Sequence, residues 1–194
     1  MRSRVFAARV VTVAGACFAA AFVTTGADAG SKPTSANARV ERGKYLVTIA
    51  GCNDCHTPWK MGPQGVPEPD MSRMLSGHPE AMKLPPPPAS SGPWIASFAA
   101  TQTAFAGPWG VSYAANLTPD KNTGLGIWTE DIFIKAMRSG KHFGTSRPIQ
   151  PPMPWYGVAK ATDQDLKAIF AYLQSIPPVV NHVPDYLEPA LPKK

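Results

Sequence analysis

Residues 52–56 read Cys-Asn-Asp-Cys-His, and no other stretch restricts the fold as tightly. On one helical turn, positions i and i+3 share a face, and so do i and i+4. Cys52, Cys55 and His56 therefore meet one flat ligand together. C-x-x-C-H is the spacing of a c-type haem attachment site. The two thiols form thioethers to the haem vinyl groups, and the imidazole binds iron from one face, where covalent attachment keeps it.

Three other uses of a Cys-x-x-Cys pair fit less well. A redox dithiol expects a βαβ pattern around it, and none is present. A structural zinc site needs four Cys or His ligands. No cysteine follows the motif, and His78, His142 and His182 are scattered without paired spacing. A plain disulfide gives His56 no role.

The N-terminus reads as a targeting segment. Arg2, Arg4 and Arg9 precede an apolar run, Val10 to Val23, too short to span a bilayer comfortably. Ala27-Asp28-Ala29 offers an A-x-A cleavage site. Residues 1–29 are thus expected to be a secretory signal peptide, and the mature protein a single periplasmic domain, 30–194, with no transmembrane helix. No Arg-Arg pair is present, which points to the general secretory route. Cys17 leaves with the signal, so both remaining cysteines belong to the motif. An exported chain is normally free to form disulfides; here no cysteine is left over for one, as thioether attachment predicts. The mature 165 residues carry 16 basic and 12 acidic side chains, a formal +4. That balance suits acidic partner surfaces. With no Lys/Arg-rich run interleaved with aromatics, it does not indicate nucleic acid.

Ala36 to about Ala50 is expected to form the first helix, capped by Asn37 or Ser35, with Val40, Tyr45, Leu46 and Ile49 as its stripe. Gly43 inside it costs up to about 1 kcal/mol relative to Ala, which a close helix crossing would justify. Residues 57–108 are Pro-rich, and proline excludes long helix there. Pro85–Pro88 should be polyproline II. Because Trp94, Ile95, Phe98 and Phe105 lie within it, the stretch reads as an ordered, Pro-stiffened insert covering part of a haem edge, with a disordered insert as the rival. Thr129 opens a second long helix that Gly140 closes, with Ile132, Phe133, Ala136 and Met137 facing inward. The last helix starts at Thr162, with Asp165 as its capping-box partner. It presents Leu166, Ile169, Phe170 and Leu173 and ends before Pro177-Pro178. Residues 179–194 read as a surface tail. No convincing strand alternation appears, so the expected class is all-α.

Pro151-Pro152-Met153-Pro154-Trp155 is the second chemical stretch. Prolines lower the entropy lost in holding a loop, and a thioether held so rigidly suits the sixth position of an iron. Alone, Met153 would read as a gap filler; the upstream motif reverses that.

Together these pieces resemble class I cytochrome c over residues 37–56 and 107–178. The resemblance implies that family's all-α fold, here with a long Pro-rich loop insertion. It implies a crossing of the first and last helices beside the haem, with Gly43, Tyr45 and Tyr172 as its small and aromatic residues. Carried over are Cys52 and Cys55 as thioether residues, His56 as proximal ligand and Met153 as distal ligand of one covalent haem c. Asn116–Asp120, Thr123–Trp128 and the Pro-x-Met-Pro ending are also similar to the cytochrome c domains of alcohol and aldehyde dehydrogenase complexes. Those subunits carry several haem motifs; this chain has one, and its insert separates the ligands more widely.

The implied function is a non-enzymatic, periplasmic carrier of single electrons between redox partner proteins, such as a periplasmic dehydrogenase or a terminal oxidase. Lys44, Lys60, Lys135, Lys141 and Arg147 are candidate steering charges. Two alternatives stand beside it. One is a small-ligand or peroxidase-like site, its sixth position open beside His142 and Trp155, or taken by His78, Met61, Met71, Met74 or Met82. The other is an electron-transfer subunit docked on a dehydrogenase through residues 57–108.

Overall fold

The hydroxyl of Ser35 accepts from Ala38 N at 3.2 Å and starts α1, Ala36–Ile49. The computed structural model describes residues 35–88 and 93–189; the expected signal segment lies outside them. A single turn, α2 (Cys52–His56), follows α1. Thr129 caps α3, Glu130–Ser139, and Gly140 ends it in the left-handed region at φ 65°. The turn α4 (Trp155–Val158) precedes α5, Asp163–Ser175.

The core is where α1, α3 and α5 meet. Val47, Phe133, Leu166, Ile169, Phe170, Leu173 and Ile176 are buried there, and the Phe133 and Phe170 rings lie 5.4 Å apart. The crossing of α1 and α5 is close because Gly43 has no side chain. A Cβ there would sit 1.9 Å from Ala168 O and 2.8 Å from Tyr172 Cβ. Tyr172 thus belongs to the crossing, as expected. Tyr45 does not: it is 54% exposed, with the Arg42 guanidinium 5.5 Å from its ring. Position 45 is two residues past 43, nearly on the opposite face of a 3.6-residue helix. Ile49 is exposed for the same reason, and Val47 takes the buried place. The capping box of α5 is half built. Thr162 Oγ1 accepts from Asp165 N at 3.1 Å, whereas the Asp165 carboxylate accepts from Arg42 of α1 at 3.0 Å.

The all-α expectation needs correction. Among the described residues of 57–113, five short strands form two antiparallel sheets. In the first, β1 (Trp59–Met61) pairs with β2 (Pro67–Pro69). The second is the meander β3 (Ser97–Phe98), β4 (Ala104–Gly107) and β5 (Gly110–Tyr113). None exceeds four residues, too few for alternation to register, and β2 begins and ends on proline.

The Pro-rich stretch is also no mere cover. Leu75 is fully buried in the main core. Its N–H donates to Thr57 Oγ1 at 2.9 Å, and its carbonyl accepts from Leu117 N at 2.9 Å. The expected tail differs in one respect as well. Residues 179–189 run without helix and mostly exposed, but Asn181 is only 1% exposed. Its Nδ2 donates to Ser76 O at 2.7 Å and His78 O at 2.9 Å. Its Oδ1 accepts from Arg73 at 2.8 Å and Glu80 N at 3.0 Å. One buried amide thereby closes the backbone polar groups of a segment that has no sheet partner there.

Two predictions follow from this packing. Gly43→Ala lowers stability by about 1–3 kcal/mol, although Ala in an open helix would raise it by about 1 kcal/mol; thermal unfolding reads the sign. Asn181→Ala strands two carbonyls and two donors and costs about 2–3 kcal/mol, measured as a lower denaturation midpoint at unchanged m-value.

Candidate cofactor site

The site starts where α1 stops. Gly51 adopts φ 66°, a left-handed conformation natural to glycine, and turns the chain into α2. The short helix is held by its last residues: Thr57 N donates to Asn53 O at 3.1 Å, and Thr57 Oγ1 donates to Asn53 Oδ1 at 2.9 Å. Cys52, Cys55 and His56 thereby share one turn.

His56 is buried, and its Nδ1 lies 2.8 Å from Ala115 O. A carbonyl only accepts, so Nδ1 carries the proton. A neutral ring then leaves Nε2 bare, the form in which imidazole binds a metal. Burial pushes His56 below the usual imidazole range, while the bond to Ala115 pulls the other way. The ring is therefore neutral at physiological pH.

Two further bonds brace this contact. Gly77 N donates to His56 O at 2.7 Å, and His78 N donates to Ala114 O at 3.0 Å. Gly77 has φ 77°, and a Cβ there would come within 2.4 Å of Ala114 O. The Leu75–His78 strip thus lies directly against both the motif and the segment after β5 that orients its histidine.

Cys52 and Cys55 are free and half-buried. Burial pushes the Cys52 thiol up to about 11, with the charges of Asp54 and Cys55 adding to it and a backbone hydrogen bond opposing. Cys55 is raised by burial and then by Asp54. Both thiols are thereby held toward the protonated form. Among the described residues no three His, Cys, Asp or Glu side chains converge on a metal position.

A haem fits the residues that are present. Cys52, like Met74, Leu117, Trp128, Met137 and Val158, is partly buried and packs on the apolar core, a setting that suits a flat ring. Trp59 Nε1, Arg73 Nε and Ser76 Oγ are buried without a hydrogen-bond partner among the described residues. Buried donors of that kind are costly unless paired, and the carboxylate arms of a haem are acceptors.

Met153 is half-buried in a separate loop, and its N–H donates to Gln150 O at 3.3 Å. Pro151 O accepts from Ser112 Oγ on β5 at 2.5 Å. Ser112 and Ala115 stand three residues apart, at most roughly 11 Å of chain. The loop carrying Met153 and the ring of His56 are thus tied to one short segment. On its other side the loop ends in Trp155, whose ring packs on Gly140: a Cβ at Gly140 would meet Trp155 Cε2 at 2.4 Å.

His78 is fully buried, with Nδ1 at 2.9 Å from Thr103 Oγ1 and Nε2 at 3.3 Å from Met82 O. Met61, Met71 and Met82 are exposed. Met74 packs on the core. His142 stands edge-on to Trp128 and Phe143, and Trp155 packs on Gly140. Of the candidate charges, Lys60 pairs with Asp70 at 3.1 Å and the Lys135 stem lies against Gly144. Lys44, Lys141 and Arg147 are exposed.

Sequence reasoning missed Ala115, Gly77, Ser112 and Asn181. Ala115 acts through its carbonyl and Gly77 through its lack of a side chain. Neither leaves a side-chain signal. For Ser112 and Asn181, only a polar residue beside a turn-rich or proline-rich stretch hinted at a role.

Comparison with known proteins points the same way. The family model for cytochrome c matches residues 40–177. The gluconate 2-dehydrogenase cytochrome c subunit of Pantoea cypripedii is 32% identical over 148 residues, covering 75% of this chain and 25% of that one. The fructose dehydrogenase cytochrome subunit of Gluconobacter japonicus is 30% identical, covering 75% and 23%. An alcohol dehydrogenase (quinone) cytochrome c subunit of Gluconobacter oxydans is 28% identical, covering 76% and 24%. The chain spans about a quarter of the length of these relatives. The chain belongs to the cytochrome c family, and its cofactor is covalently bound haem c.

Proposed function

We propose that this chain is a periplasmic monohaem electron carrier in which Cys52 and Cys55 form the thioethers and His56 and Met153 are the axial ligands. The observation that carries the reading is the ring of His56, with Nδ1 occupied by Ala115 O and Nε2 left bare. When bound, the haem supplies a one-electron iron couple. The chain supplies orientation, a dry surround and electrostatics. His56 offers a neutral nitrogen and Met153 a neutral sulfur, a pair associated with relatively high potential among haem sites. Cys52, Leu117, Trp128 and Met137, partly buried against the core, would help keep water from a bound ring. Trp59, Arg73 and Ser76 offer donors to its carboxylate arms.

The partner class we infer is a dehydrogenase, supported by the names of the relatives, which are dehydrogenase cytochrome subunits. Among the described residues no helix is long and apolar enough to cross a membrane. Contact with the partner is expected to be small and transient, with Lys44, Lys141 and Arg147 available for steering.

Spectra of oxidised and reduced protein, made in cells with haem-attachment machinery, test the ligation. Oxidised wild type is expected to show a long-wavelength sulfur-to-iron band, and Met153→Ala to lose it and bind carbon monoxide readily once reduced. A wild type that lacks the band and itself binds carbon monoxide would move the protein to the open-site class.

A further inference from the structure

We propose that Ser112 is a positioning residue for the distal-ligand loop, so that the three-stranded sheet in the Pro-rich stretch holds the sixth ligand in place. This rests on the reading that Met153 binds iron. Ser112 is 6% exposed. A hydroxyl has one proton to give. Its near acceptor is Pro151 O at 2.5 Å, against 3.5 Å to Phe105 O. Trp109 Nε1–H donates to Ser112 Oγ at 3.2 Å, occupying a lone pair and turning the proton toward Pro151.

The loop has few other ways to be tied down. Of residues 151–154, three are proline and lack an N–H. The one N–H, that of Met153, is spent within the turn on Gln150 O. Between Ile149 and α4, the bond from Ser112 is the only hydrogen bond from the loop to a distant part of the chain among the described residues. Its donor sits on a fixed base. β5 pairs with β4 on one side, and on the other Val111 exchanges two backbone bonds with Leu187 at 2.8 and 2.9 Å. Three residues further along, Ala115 O orients His56. One segment, 112–115, therefore governs both axial positions, the proximal through a carbonyl and the distal through a hydroxyl.

The test follows the sulfur-to-iron band of oxidised holoprotein as added cyanide displaces the methionine. Ser112→Ala is expected to speed displacement roughly tenfold, the factor one lost hydrogen bond supplies, with global thermal unfolding little changed. Ser112→Thr, which keeps the hydroxyl, is expected to stay near the wild-type rate. So is Ser175→Ala, which removes a hydroxyl bonded to Tyr172 O. If Ser112→Ala exchanges at the wild-type rate while the wild-type band is present, the proposal is overturned and Met153 ligation stands. If the wild type has no band, the ligation reading fails and takes the proposal with it. Should Ser112→Ala not accumulate, Ser112→Gly, which also lacks the hydroxyl that bonds Pro151 O, decides: faster displacement supports the role, and an unchanged rate overturns it.

Discussion

The 2.8 Å contact between His56 Nδ1 and Ala115 O is the interaction on which the rest of the site depends. It fixes the ring's tautomer and its rotation, while burial keeps the ring neutral. Because its acceptor is a backbone carbonyl, it depends on whatever fixes the backbone at residue 115. The Leu75–His78 strip supplies that support, and Asn181 supplies the strip's own missing partners. The order of dependence runs from a buried amide near residue 180, through a segment after the motif, to the nitrogen of His56 proposed to bind iron.

That order recasts the Pro-rich stretch. Proline depresses helix and leaves few backbone donors, so each remaining polar group must find a specific partner. Thr57 and Asn181 meet this need as side chains that bond to backbone, Thr57 at Leu75 N and Asn181 at Ser76 O, His78 O and Glu80 N. The result is a rigid, sparsely sheeted scaffold beside a three-helix core. The apolar faces of α1, α3 and α5 stabilise the domain; the scaffold positions His56 and the loop of Met153, the two proposed ligands.

How much of this the sequence disclosed follows from the kind of signal each feature leaves. Long helices with capping residues and a clear apolar face were legible, α3 and α5 almost to the residue. The motif was legible because covalent chemistry demands a fixed spacing. Tyr45 misled because an aromatic near a small residue looks like half of a crossing, while helical phase puts it on the wrong face. The strands were invisible at two to four residues each. Ala115 could not be found, since its contribution is a carbonyl that every residue has. Asn181 was hidden by its setting, a tail whose neighbours are mostly exposed.

The account's central claim is covalent haem at Cys52 and Cys55 with His56 as its nitrogen ligand. The most direct measurement is the intact mass of the purified protein under denaturing conditions, beside Cys52→Ser/Cys55→Ser made in the same cells. The account predicts that the wild type carries the added mass of one haem that acid and organic solvent do not remove, and that the double variant carries none. A wild type of bare polypeptide mass, or one whose haem is extracted by solvent, would contradict it.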